Sequence, residues 1–278
     1  MKLSNDFVFS QSNLQDYVNC PYLFYLRHKL NLDWPALQTE DAIEMEAHML
    51  SGARFHRLAQ QYFLGIPFER LQAMSEADPN PNLAIWWQNF MAYIAGSIKG
   101  IPYAELTLLT NLSNARLIAK YDLVVIDQDF LTIYDWKTSL KPAKRAWLLN
   151  RLQTRVYLYL LAREHKALLP NQTYEPNSLR MIYWQTNYPE APQTIAYTQA
   201  AYQADEAYLM HLIQEIQTTS DLDFFKTNNT GQCKYCIYRS LCERGIQAGI
   251  YTELEADLEE IDPQDFIINL DQIDEIAF

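Results

Sequence analysis

Two aspartates, a lysine and four cysteines are the residues whose types and spacing could do chemistry. Asp122 stands inside the apolar run 117–126, and Asp135 ends the next one, Thr132-Ile133-Tyr134-Asp135-Trp136-Lys137. A charged side chain inside a strand is costly unless it is exposed, paired or bound to a metal. A hairpin turning near Asp127–Asp129 brings both carboxylates to one end of a sheet. Close carboxylates repel, and a divalent cation relieves that repulsion. Lys137 follows Asp135 by two residues and so projects from the same strand face. There it can hold an attacking water or offset charge on a phosphodiester under attack. On spacing alone, a hairpin with a structural Asp–Lys pair is the simpler account.

The cysteines are Cys20, Cys233, Cys236 and Cys242, the last three spaced C-x2-C-x5-C. With no signal peptide evident at the N-terminus, disulfides are not expected. Four soft ligands, three clustered and one remote, suit a tetrahedral metal or a [4Fe–4S] cluster. Zinc is the chemical alternative, although zinc folds usually place cysteines in two close pairs. Free buried thiols also fit the spacing.

The elements that must position these groups are readable from periodicity and punctuation. A helix is expected from Ser10, with Ser12 and Gln15 in the form of a capping box. Long helical patterns cover 41–63, 83–98, 143–168 and 199–218. Between them lie β-branched and aromatic runs at 103–110, 116–126 and 130–136, read as three antiparallel strands, then 178–185 and 194–197. This order implies an α/β fold with a mixed sheet flanked by helices.

The chain has 278 residues, 49% hydrophobic and 13% aromatic, which is enough for a large core without staples. Low glycine content, with neither G-x-x-x-x-G-K nor G-x-G-x-x-G, sets aside P-loop and Rossmann readings. No apolar run approaches the length of a membrane span. The net charge of −12 would discourage nucleic-acid binding, but it is uneven. Residues 251–278 carry ten acids and no base, leaving 24 acidic and 22 basic residues in 1–250. The body is therefore near neutral, and the tail is a candidate partner-binding segment. Between Trp136 and Arg163 stand Lys137, Lys141, Lys144, Arg145, Arg151, Arg155 and Arg163 without an acid. A phosphate backbone could lie on such a strip, although a solvated helix face explains most charge runs. Trp147, inside the strip, is the best candidate for stacking on an unpaired base.

Taken together, Asp122 and Asp135-Trp136-Lys137 resemble the PD-(D/E)XK nuclease signature in its D…D-X-K form. The chain is similar to the RecB-type and CRISPR-associated iron–sulfur exonuclease branch. Gly52-Ala-Arg-Phe-His56 resembles its G-x-x-x-H helix motif, and Gln153-Thr-Arg-Val-Tyr157 its Q-x-x-x-Y motif. Glu105 sits where many relatives carry an acid, and Cys20 with the late cysteines resembles an iron–sulfur staple. Tyr121 replaces the nominal proline, and Ala119 stands where relatives usually have glycine.

The resemblance implies a restriction-endonuclease-like core over 1–250, with N-terminal helices and a C-terminal iron–sulfur segment, followed by the acidic tail 251–278. It implies Mg2+ or Mn2+ held by His56, Asp122, Asp135 and the Trp136 carbonyl. Lys137 would act on water, Gln153 and Tyr157 would orient Lys137 or the substrate strand, and Glu105 would assist. A cytoplasmic DNA nuclease is implied, exonucleolytic on single strands or ends, in repair, recombination or CRISPR-type defence. Lys141, Lys144, Arg145, Trp147, Arg151 and Arg155 would line the DNA path. The alternative is a catalytically silent nucleic-acid-binding or assembly module with a structural metal cluster.

Overall fold

The computed structural model describes residues 3–4, 6–33, 40–169 and 172–249. The acidic tail lies outside the described residues. Strand β1 (Val8–Ser10) leads into α1 (Gln11–Asn19), α2 (Pro21–Phe24) and a wide helical turn, Tyr25–Lys29. Helices α3 (Glu40–Phe63), α4 (Phe68–Glu76) and α5 (Asn82–Phe90) follow. Strands β2 (Ile101–Leu112), β3 (Ala115–Ile126) and β4 (Leu131–Lys137) come next, then α6 (Arg145–Asn150) and α7 (Leu152–Glu164). Strands β5 (Leu179–Gln185) and β6 (Tyr188–Ala196), helix α8 (Gln199–Thr218) and the short turns α9 (Thr230–Cys233) and α10 (Arg239–Cys242) complete the order.

The six strands form one mixed sheet. β2, β3 and β4 are antiparallel neighbours, β1 runs parallel to β3, β5 parallel to β4, and β6 antiparallel to β5. The parallel β4–β5 step needs a crossover, which α6 and α7 supply. Each face of the sheet has its own core. Val124, Ile126 and Ile133 pack with α7 and α8 through Val156, Leu160, Leu209 and Ile213. Leu123, Val125, Trp136 and Trp184 pack with Phe55, Trp86, Trp87 and Phe90 of α3 and α5. Burial of these aromatics dominates that second layer.

Three local differences from the sequence reading have physical causes. Helix α1 is capped two residues before Ser12: Ser10 Oγ accepts the Asn13 N–H and Asn13 Oδ1 accepts the Ser10 N–H. Asn13, on a shorter side chain than Gln, closes that box directly behind β1. The helix expected over 143–168 is broken at Arg151, whose ψ of 138° is extended and restarts the chain as α7. The last strand is longer than 194–197, because β6 pairs with β5 from Tyr188.

Candidate active site

Strand β3 has neighbours on both edges, and one of those edges is shared. β1 pairs with it up to Ser10↔Ile118, and β4 pairs with it from Leu123↔Tyr134. Residues 119–122 occupy the gap between those two pairings. An open sheet commonly places its chemistry at such a divergence of neighbouring strands. The gap also coincides with a change of phase. Ala119 and Tyr121 face the α7 core, as do Val124 and Ile126, whereas Leu123 and Val125 face α5. β2 makes the same change: Leu106 and Leu108 lie on the α7 side, Ala104 on the α5 side. Ala104↔Leu123 and Leu106↔Tyr121 bracket the change, so Glu105 stands opposite Asp122. Glu105 takes a left-handed φ of 53° to do so, a conformation that costs a non-glycine residue about 1 kcal/mol or more.

The expected meeting of the two carboxylate strands occurs here. Asp122 Oδ2 accepts the Trp136 N–H at 2.7 Å, and Asp122 Oδ1 lies 2.9 Å from His56 Nδ1. Asp135 is 3% exposed; Gln153 Nε2 donates to its Oδ1 at 2.6 Å and Lys137 Nζ sits 2.8 Å from its Oδ2. Asp135 and Lys137 thus share a face, as their spacing requires. Gln153 reaches the Asp135 carboxylate rather than Lys137, and its own buried Oε1 has no hydrogen-bond partner among the described residues. Tyr157, one turn on, packs its ring 4.9 Å from that of Tyr121. Glu105 pairs with Lys120 at 2.6 Å. Burial pushes the Glu105 carboxyl above its ordinary range; Lys120 opposes that shift and the nearby Asp122 charge adds to it.

Helix α3 is held close to this corner by its glycine. A Cβ on Gly52 would lie 3.1 Å from Thr138 Oγ1, so only a minimal side chain lets the helix approach the end of β4. His56 is one turn further along that face. The loop after Lys137 is pinned by the β5–β6 turn, which sequence reasoning missed. Gln185 Nε2 donates to Ser139 Oγ at 2.6 Å and to the Lys141 carbonyl at 2.8 Å, and its Oε1 accepts the Ala143 N–H at 3.0 Å. Asn187 Nδ2 donates to the Ser139 carbonyl at 2.9 Å.

The expected DNA path is less uniform than its sequence. Lys144 and Arg145 are exposed, with the Arg145 guanidinium donating to the Thr194 carbonyl, but Arg151 is buried with its guanidinium 4.4 Å above the Trp147 ring. Arg155 lies 3.4 Å from Asp205 and stacks on Tyr208, and Arg163 pairs with Glu206. The strip 137–163 is therefore not one continuous exposed face: helical rotation and the break at Arg151 distribute its cations among different neighbours.

Cys20, Cys233, Cys236 and Cys242 line one cavity of about 190 Å3 and form no disulfide. The Thr227 N–H points at Cys20 Sγ at 3.4 Å. Burial raises the Cys236 thiol to about 12, and the other three cysteines add to the shift. Among the described residues no three His, Cys, Asp or Glu side chains are grouped so as to hold a metal ion. At the strand gap the donors stand in pairs, His56 with Asp122 and Asp135 with Lys137. Two carboxylates and one imidazole are nonetheless a donor set that Mg2+ or Mn2+ accepts.

No helix among the described residues is long and apolar enough to cross a membrane. The chain resembles two solved structures in outline. One is SSO0001, at 14% identity and TM-score 0.42, with 89% of this chain and 90% of that one covered. The other is from Eubacterium rectale and is described as a candidate exonuclease, at 11% identity and TM-score 0.48, with 91% and 94% covered. No curated protein matches the sequence. A family model does match, over residues 8–243, a span that holds the strand gap, both carboxylate strands, α7 and all four cysteines. The chain belongs to the PD-(D/E)XK nuclease superfamily.

Proposed function

We propose that this chain is a Mg2+- or Mn2+-dependent deoxyribonuclease that acts as an exonuclease on single-stranded DNA or DNA ends, in repair, recombination or CRISPR-type defence. The observation that carries the reading is the linked set His56–Asp122–Trp136 N–H beside Gln153–Asp135–Lys137. His56, Asp122, Asp135 and the Trp136 carbonyl would hold the cation. When bound, such an ion polarises the phosphate and makes the attacking water more acidic.

The chain's own residues do the rest. Gln153 fixes one Asp135 oxygen and so sets the rotation of the carboxylate. Lys137 holds the other oxygen. On engagement of the phosphodiester its ammonium turns to the water and to the charge that develops on the phosphate. The Gln185 clamp keeps the loop after Lys137 from collapsing into that space. Lys144 and Arg145 are the cations of the strip best placed to meet a strand.

We also infer that the four cysteines hold a [4Fe–4S] cluster as a structural staple between the N-terminal helices and residues 226–244. What supports this reading is the C-x2-C-x5-C spacing with a remote fourth cysteine, and the cavity that all four thiols line. The test uses anaerobically purified protein, with iron and zinc measured, and Mn2+-dependent digestion of single-stranded DNA labelled in turn at each end. Progressive shortening from one end, lost in Asp122→Asn and Asp135→Asn, is the expected result. Intact substrate with the wild type would overturn the nuclease reading, and a zinc-bearing, iron-free protein the cluster.

A further inference from the structure

The strained residue at the strand gap serves a cation that the catalytic set does not use. Glu105 is the one residue of β2 in the left-handed region, and its carboxylate reaches Lys120 at 2.6 Å. The Glu105 side chain is 16% exposed and that of Lys120 47%. A partly buried acid therefore holds the ammonium of a half-exposed lysine on the strand that carries Asp122, two residues away. That stretch of β3 has β2 on one edge, and neither β1 nor β4 pairs with it at 119–122. The Glu105 conformation follows the shared phase change of β2 and β3. A partly exposed ion pair adds little to stability, but this one fixes the position of a charge beside the carboxylate gap.

We propose that Lys120 is a substrate-positioning residue that binds a non-scissile phosphate of the strand next to Asp122, and that Glu105 holds its ammonium for that contact. This rests on the nuclease reading but assigns Lys120 to binding and not to bond cleavage. An ammonium is a compact point charge with several donors, so it can keep Glu105 while meeting a phosphate oxygen.

The test is a scan of single neutral methylphosphonate linkages along a short single-stranded oligonucleotide. Binding is measured by fluorescence anisotropy and cleavage under steady state with Mn2+, for the full-length wild type, Lys120→Ala, Lys120→Met and Lys120→Arg. The expected result is a loss of affinity and a rise in KM of about tenfold in Lys120→Ala and Lys120→Met, with kcat within about twofold. The salt slope of binding should fall by about 0.7, the share of one phosphate on a single strand. One methylphosphonate position should weaken the wild type but not Lys120→Ala, and Lys120→Arg should restore both affinity and that sensitivity. An unchanged Kd and salt slope, or a fall in kcat at constant KM, would overturn the proposal even if the wild type cleaves. A wild type that binds with the expected scan but does not cleave would leave the phosphate seat standing and remove the nuclease reading. Thermal unfolding of each variant separates loss of the seat from loss of fold, and Lys120→Met retains the apolar stem if Lys120→Ala fails to fold.

Discussion

Asp122 Oδ2 accepts the backbone N–H of Trp136 at 2.7 Å, one step beyond the last rung of the β3–β4 ladder, Leu123↔Tyr134. The side chain of one carboxylate strand takes over where backbone pairing stops. It thereby ties itself to the residue that follows the other carboxylate. The opening between β3 and β4 is thus a fixed structure and not a frayed end.

That tie separates two roles of Asp122. Asp122→Asn keeps an oxygen for the Trp136 N–H and should fold with near-native stability while losing cleavage. Asp122→Ala leaves a buried N–H unpaired and should be about 1–3 kcal/mol less stable in urea unfolding. Equal stabilities for the two variants would count against the tie.

Gln153 holds Asp135 through its amide N–H. Gln153→Ala frees the carboxylate to rotate, and a partner of a ligand typically matters 10–100-fold. Mn2+-dependent cleavage should fall by about that factor, with far-ultraviolet circular dichroism unchanged. Full activity in Gln153→Ala would place the amide outside the site.

Gly52 sets how closely α3 approaches the end of β4. In a helix, Gly→Ala is worth up to about 1 kcal/mol in favour of alanine, but here the new Cβ meets Thr138 Oγ1 at 3.1 Å. Gly52→Val should displace the helix and lower cleavage, since His56 moves with it. Adding Thr138→Ala to Gly52→Ala should recover whatever activity Gly52→Ala alone loses. Kinetics of the four variants in this cycle decide it; additivity would mean that the two residues do not touch in solution.

Away from the gap, Asp205 accepts the Tyr197 hydroxyl at 2.9 Å and lies 3.4 Å from Arg155. Burial raises its carboxyl pKa, against the pull of both partners. The folded state therefore takes up this proton more readily than the unfolded chain. The associated stability is full below the ordinary value of 3.8 and is lost as pH rises through the raised value. Asp205→Asn keeps an acceptor for Tyr197 and should flatten that part of the stability profile. Urea midpoints measured across mildly acidic pH would show it, and parallel profiles for the two proteins would contradict it.

Much of this architecture is legible without coordinates because its signals are local. The alternation around Asp122 and Asp135 marks β3 and β4 to within a residue or two, and the 3.6-residue spacing of 199–218 gives α8 at the observed bounds. Other features depend on neighbours distant in sequence. β1 is three residues long and exists through pairing with β3. The break at Arg151 interrupts a good helical pattern, where an extended residue separates α6 from α7. Lys141, Lys144, Arg145, Arg151 and Arg155 read as one strip, yet the fold buries Arg151 and gives Arg155 to Asp205. The left-handed Glu105 carries no local signal at all, since its conformation follows from the shared phase change of β2 and β3. Lys120 was within reach: two residues before Asp122 on a strand, it could have been singled out by the rule that picks Lys137.

Lys137 is the residue on which the nuclease assignment turns. Its ammonium pairs with buried Asp135 at rest, and in the proposed reaction it serves the phosphate during cleavage while other groups hold the cation. Single-turnover cleavage of single-stranded DNA by Lys137→Ala, with Mn2+ binding measured in parallel by electron paramagnetic resonance, separates these roles. The expected result is a loss of rate of about a hundredfold or more, in the range for a removed electrostatic donor, with Mn2+ bound at least as tightly as by the wild type. Cleavage near the wild-type rate in Lys137→Ala would contradict the assignment of this site as the nuclease centre.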